Sequence, residues 1–171
     1  MTARNATFED MALAAKIMVT SFRTAFAAFV SPETMDACTN PDNCRAMLES
    51  IYREGKMHFL MGGNQGFLCW QETEHGAEIV AIHSLPESWG NGLGHAMLTE
   101  ALKQNGNRPV HLWAFKENTK IKLQIITRLQ PSELPEPLSY QVTDGRLQHW
   151  MYSPPDSLKN PIQTDFTAFD S

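Results

Sequence analysis

The chain has no apolar run approaching the ~18 to 20 residues that a membrane-spanning helix requires, so no membrane partner is expected. Cysteine is scarce. Cys38, Cys44 and Cys69 are an odd number, with no C-x-x-C pair and no histidine beside them at zinc spacing, which excludes a zinc module and a disulfide framework. They are expected to be reduced and mostly buried. An excess of basic residues is also missing: the formal net charge is -5, which argues against a nucleic-acid binder. The opening Met-Thr-Ala-Arg-Asn lacks the apolar stretch of a secretion signal, and a cytoplasmic protein is the simplest expectation. Two nucleotide motifs are absent as well. Reading G-x-G-x-x-G from Gly90 puts His95 at the third glycine, and no G-x-x-x-x-G-K-[ST] run exists.

What the chain does have suits one folded domain. Its 171 residues are 42% hydrophobic and 19% charged, and a domain near 150 residues buries about 68 to 70% of its unfolded surface. A single domain over residues 1–152 and an extended tail over 153–171 are expected. The tail's aromatic groups are Phe166 and Phe169.

Periodicity places the elements. Thr7 followed three residues later by Asp10 marks a helix start. Apolar residues then recur at Ala15, Met18, Val19, Phe22, Phe26 and Phe29, with a break expected near Ser21. Asn40-Pro41 opens a second helix carrying Cys44, Met47, Leu48, Ile51 and Tyr52 and closed by Gly55. Strands are expected over 57–61, 67–71 and 77–85, joined by short turns into an antiparallel meander. A helix from Leu93 and a strand over 109–115 then imply a crossover with parallel pairing. A helix over 118–129 and a hairpin of 138–143 and 146–152 on Asp144-Gly145 complete the reading.

The stretch with the most chemistry is Glu78-Ile-Val-Ala-Ile-His-Ser-Leu-Pro-Glu-Ser-Trp-Gly-Asn-Gly-Leu-Gly-His, an apolar strand entering a helix through a glycine-rich turn. Gly90, Gly92 and Gly94 let backbone NH groups approach an anion, and the unsatisfied amides of the helix start add partial positive charge. A phosphate-bearing cofactor on residues 82–95 is the expectation. The plain alternative is a tight turn that serves strand-to-helix packing.

This segment resembles motif A of the GCN5-related N-acetyltransferases, [QR]-x-x-G-x-[GA]. Gly92 and Gly94 match its two small residues, and Trp89 stands where the family has Arg or Gln. Val110-His-Leu-Trp-Ala-Phe-Lys-Glu-Asn118 resembles motif B. The following Lys120–Gln130 segment holds no Tyr, Phe or Gly, so the family's thiolate-protonating tyrosine has no counterpart there.

The resemblance implies an α/β (α+β) acetyltransferase fold: a mixed central sheet with an antiparallel N-terminal meander and a parallel crossover, flanked by helices. It implies acetyl-coenzyme A as cosubstrate, held by Ile82, His83, Ser84, Trp89, Gly90, Asn91, Gly92, Leu93, Gly94, His95 and Asn118. For the general base the candidates are Glu78 and His83. A Glu at a strand edge is more often solvated, and a strand His flanked by Ile82 and Leu85 is more often a hydrogen-bonded core residue. Alternation would put Glu78, Val80, Ile82 and Ser84 on one face and His83 on the other. His75, His95, His111 and His149 show no ligand spacing, and no metal is assigned.

The implied activity is acetyl transfer to a primary amine of a small molecule or peptide. It is expected to be weak or slow because the usual acid is missing, although a coenzyme A thiol, with a pKa of about 8.5 by analogy to cysteine, leaves tolerably as thiolate. Tyr140 and Tyr152 lie in expected strands and read as packing residues. A catalytically impaired acyl-coenzyme A-binding regulatory module is the alternative, and a homodimer is the one assembly allowed for. In this fold the acceptor is set by the regions corresponding to residues 22–45 and 138–150.

Overall fold

The computed structural model describes residues 2–28, 30–74, 76–106, 108–115, 130–131, 147–152 and 169–170. These form two compact units, Met1–Gln71 with Ala81–Ala101, and Glu72–Val80 with Leu102–Ser171. Strands β3 (Gly66–Thr73) and β4 (Gly76–Ser84) and helix α4 (Leu93–Gln104) run through both.

In the first unit, β1 (Ala3–Asn5) and β2 (Met57–Gly62) pair antiparallel, and β2 pairs antiparallel with β3 from Met57↔Gln71 to Gly62↔Gly66. Its helices are α1 (Met11–Phe26), α2 (Pro32–Cys38) and α3 (Pro41–Glu54). Sequence dictates where they start. The Asn40 side chain accepts from the Asn43 amide at 2.9 Å and the Ser31 hydroxyl from the Thr34 amide at 3.2 Å, each with proline opening the helix. Such caps stabilise a helix by about 1 kcal/mol each. Ahead of α1, Asp10 accepts from the Thr7 amide at 2.7 Å and forms a two-pronged pair with Arg4 at 2.7 and 2.8 Å.

Two features differ from the sequence expectation. Helix α1 runs unbroken through Ser21, whose hydroxyl finds its partner on β4 rather than competing with the helix backbone. Its buried residues are Met11, Ala14, Ala15, Ile17, Ser21 and Phe26, so the face against the core is rotated from the apolar stripe read off the sequence. Helix α2 and strand β1 are additions to the expected elements; α2 carries a single buried residue, Met35, and β1 none.

The core of this unit joins Met11 and Ile17 of α1, Leu48 of α3, Leu60 and Met61 of β2, Phe67 and Leu68 of β3, and Leu93, Met97 and Leu98 of α4, all buried. Each such side chain contributes about 1.5–3 kcal/mol by leaving water. Glycine decides how closely α4 docks. A Cβ on Gly62 would lie 2.6 Å from Leu93 Cδ1, and one on Gly66 would lie 2.9 Å from Met97 Cε and 3.0 Å from Leu93 Cδ2. Bare backbone at the β2–β3 turn therefore sets the first turn of α4 against the sheet.

In the second unit, β4 pairs in parallel with β5 (Val110–Phe115) over Ala77↔Val110, Glu78↔His111 and Ile79↔Leu112. Strand β5 pairs antiparallel with β7 (Leu147–Tyr152), which also takes β6 (Gln130–Pro131) and β8 (Phe169–Asp170). Parallel pairing across the intervening α4 is the crossover expected, and antiparallel β1–β3 with parallel β4–β5 make the mixed α/β architecture. β7 is the expected second arm of the last hairpin, while the first arm, the Asp144-Gly145 turn and the 118–129 helix lie outside the described residues. Phe169, expected in an extended tail, sits in strand pairing with His149.

Candidate cofactor and acyl-transfer site

Strand β4 ends at Ser84 and the chain closes on itself before α4. The Leu85 amide donates to Gln65 O at 2.7 Å, tying the strand exit to the β2–β3 turn. Pro86–Ser88 then forms a short 3-10 turn, with the buried Ser88 hydroxyl donating to Leu85 O at 2.7 Å. The Trp89 indole NH donates to Ser84 O at 3.0 Å, so the side chain in the family's Arg/Gln position folds back onto the strand end. Asn91 Oδ1 accepts from the Leu93 amide at 3.2 Å, and the Ala96 amide begins the helical ladder on Gly92 O at 2.9 Å.

Gly90 and Gly92 have φ of 81° and 86°, the left-handed region in which a side chain costs about 1–2 kcal/mol. A Cβ at either would meet nothing within 4 Å. Packing does not demand glycine there, so conformation and the open space above the turn are what those positions preserve. The Gly94 and His95 amides belong to the first turn of α4, where the helix offers no acceptor. Turn and helix start together can take a phosphate anion.

Behind the turn lies His83. Its Nδ1 is 2.8 Å from Ser21 Oγ, and its ring stacks on Phe67 with centroids 5.4 Å apart and planes 24° apart. Burial of the ring drives its pKa down to about 4, so His83 is neutral at physiological pH. Of the side chains the sequence singled out, Ile82, His83, Ser84, Trp89, Gly90, Asn91, Gly92, Leu93, Gly94 and His95 belong to the first unit. Glu78 belongs to the second, half-buried and in register with His111. Asn118 lies outside the described residues. Sequence reasoning misses Ser21 and Phe67 as neighbours of His83. The one signal for them is a lone hydroxyl on an apolar helix face.

An open cavity of about 280 Å³ lies at the C-terminal end of α1, lined by Arg23, Ala27, Val30, Pro32, Met35 and Asp36, with Arg23 and Asp36 paired at 3.1 Å. It falls within the 22–45 stretch expected to meet the acceptor. Among the described residues, no three His, Cys, Asp or Glu side chains stand together as a metal site, and no helix is long and apolar enough to cross a membrane.

No protein-family model matches this chain, and no curated protein sequence does. Solved structures do. The PaiA N-acetyltransferase of Thermoplasma acidophilum in complex with coenzyme A aligns with a TM-score of 0.71 at 17% identity, over 88% of this chain and 97% of that one. A GCN5-related N-acetyltransferase of Rhodopseudomonas palustris aligns with a TM-score of 0.66 at 18% identity, over 90% and 94%. The ribosomal-protein-alanine N-acetyltransferase of Brucella melitensis gives 0.62 at 16%, over 90% and 99%. Sheet, crossover and glycine turn, together with these alignments over nearly the whole of each neighbour, give this chain the fold of the GCN5-related N-acetyltransferases.

Proposed function

We propose that this protein is an acetyl-coenzyme A-dependent N-acetyltransferase that acylates a primary amine of a small molecule or peptide. The observation that carries the reading is the turn at Gly90 and Gly92: two left-handed glycines with open space above them, leading into the first amides of a docked helix. That arrangement suits a pyrophosphate, and a structural neighbour of the same fold was solved with coenzyme A. In this reading the amides of residues 90–95 take the pyrophosphate, with Trp89, Asn91, Leu93 and His95 shaping the turn. The backbone of Ile82, His83 and Ser84 runs beside the pantetheine arm and the thioester, and Asn118 helps place the arm.

Transfer needs a neutral amine, a donor for the developing oxyanion and a destination for the amine proton. A histidine with a pKa of about 4 is a weak proton acceptor at neutral pH, which favours Glu78, directly or through water, as the base. Residues 22–45 then meet the acceptor, with the cavity at Arg23 and Asp36 as one surface it can reach.

Calorimetry with acetyl-coenzyme A tests the cofactor reading. Gly92→Val, verified as folded, is expected to weaken binding at least about tenfold, and unchanged affinity would count decisively against the placement. Thiol release across a broad amine panel tests the chemistry. Binding without release would favour an acyl-coenzyme A-binding regulatory module.

A further inference from the structure

Helix α1 brings one polar side chain to the end of β4. Ser21 is 5% exposed, and its only hydrogen bond among the described residues is to His83 Nδ1 at 2.8 Å. The chemistry of that contact fixes which atom carries the proton. A buried hydroxyl must send its hydrogen to an acceptor or lose about 1–3 kcal/mol. Thr24, three residues on, sends its hydroxyl to the Thr20 carbonyl at 2.9 Å, the bond helical Ser and Thr commonly make. Ser21 makes no such bond, so the one acceptor for its hydrogen among the described residues is the Nδ1 lone pair. Nδ1 is then unprotonated, and the neutral ring carries its hydrogen on Nε2.

Two more contacts hold that arrangement. Phe67 stacks on the imidazole, limiting rotation about χ2, and the His83 carbonyl lies at the bare backbone of Gly66, where a Cβ would come within 3.1 Å of it. Ring and main chain are thus both fixed where β4 reaches the glycine turn. Nε2 has no acceptor among the described residues.

We propose that Ser21 is a positioning residue that locks His83 as its neutral Nε2–H tautomer, making it a hydrogen-bond donor to the thioester oxygen as negative charge develops there. This rests on the acetyltransferase reading for the identity of the acyl group, though not for the tautomer. It gives His83 a role opposite to that of a base. The ring gives no proton up and takes none; it offers a fixed N–H dipole, and a neutral donor held in place needs no reorganisation as the oxyanion forms.

The test begins with nitrogen-15 spectra of the imidazoles in the full chain at pH 7, His83 being assigned by its loss in His83→Gln. The expected result is a single neutral Nε2–H form in the wild type and a mixture, or the Nδ1–H form, in Ser21→Ala. An Nδ1–H wild type, or a Ser21→Ala spectrum unchanged from it, overturns the proposal.

Turnover of acetyl-coenzyme A with the amine panel supplies the functional arm. Ser21→Ala is expected to lower kcat about tenfold while leaving the KM for acetyl-coenzyme A within about threefold. His83→Phe is expected to cost about 100-fold, and His83→Gln, which keeps a neutral N–H, to recover most of that loss. Equal loss in both His83 variants overturns the donor role. Failure of acetyl-coenzyme A to bind the wild type overturns the acyl assignment together with the acetyltransferase reading, while the tautomer is still decided by the spectra.

Discussion

Gly62 and Leu93 meet so closely that the missing Cβ of the glycine would fall 2.6 Å from Leu93 Cδ1. The glycine ends β2 and the leucine begins α4, directly after the proposed phosphate turn. The β2–β3 turn thereby controls where the amides of residues 93–95 stand.

The first prediction follows from that contact. Gly62→Ala and Gly66→Ala each push a methyl group into the Leu93–Met97 edge of α4, and overpacking of this kind costs about 1–3 kcal/mol. Urea unfolding should show that loss. Acetyl-coenzyme A affinity should fall too, because the helix start must shift, whereas Gly63→Ala, with nothing within 4 Å of its Cβ, should leave affinity alone. Undiminished affinity in both destabilised variants would separate helix docking from cofactor binding.

Much of this arrangement is legible in the amino-acid sequence. Asn40-Pro41 and Gly55 bracket α3 because capping chemistry is local, and residues 82–95 can be read as one strand, turn and helix start because they are contiguous. Other features are invisible to local rules. Strand β1, Ala-Arg-Asn, has no apolar alternation and exists through backbone pairing with Leu60–Gly62. Helix α2 has seven residues and one buried side chain, too few for a period to emerge, although Ser31-Pro32 marks its start. Ser21 and His83 are 62 positions apart and meet only once α1 lies on the sheet. Gly62 and Gly66 read as turn residues, and their second duty, leaving room for Leu93 and Met97, is a fact of packing.

For proton transfer the expectation is that Glu78→Gln lowers kcat at neutral pH, by about 100-fold if its carboxylate or a water it holds is the base, with cofactor affinity nearly intact. Steady-state rates with the amine panel, beside calorimetry with acetyl-coenzyme A, check it. Wild-type turnover would remove Glu78 from the mechanism. Replacing Tyr140 or Tyr152 by Phe should change the rate little; a large loss at unchanged stability would reveal a relocated acid.

Trp89 offers a separate test of how the turn is braced. Trp89→Phe deletes the indole bond to Ser84 O and should cost about 1 kcal/mol of stability. Since backbone amides carry the phosphate in the proposed site, acetyl-coenzyme A affinity should change by less than about threefold. A loss beyond about tenfold would mean that the indole itself contacts the cofactor.

Gly76 tests the second unit on its own. Its φ is 136°, and a Cβ there would collide with the Pro109 carbonyl, the same oxygen that accepts from the Ala77 amide at 2.9 Å. Neither backbone can yield without breaking the start of the β4–β5 ladder. Gly76→Ala should therefore destabilise by about 3 kcal/mol or more. A Tm within 2–3 °C of wild type, where about 1 kcal/mol shifts a chain of this size by about 2–4 °C, would show that this approach is not present in solution.

The last prediction concerns acid. His83 has a folded-state pKa near 4 against an ordinary 6.5, so between those values the unfolded chain binds a proton that the folded chain refuses. Its contribution is fully present above pH 6.5 and is lost as pH falls to 4, about 3 kcal/mol in all. Asp10 acts lower. Arg4 and the Thr7 amide hold its carboxyl at about 2, down from 3.8, so its contribution is complete above pH 4 and disappears toward pH 2. Because Arg4 is half-exposed, solvent screening reduces this to about 1 kcal/mol. Urea midpoints measured from pH 7 to pH 3 should fall first through the histidine window and then more gently. His83→Gln should flatten the upper segment, and Asp10→Asn the lower one. A His83→Gln variant that keeps the wild-type slope between pH 6.5 and 4 would show that the desolvated, neutral imidazole is not the source of the acid sensitivity.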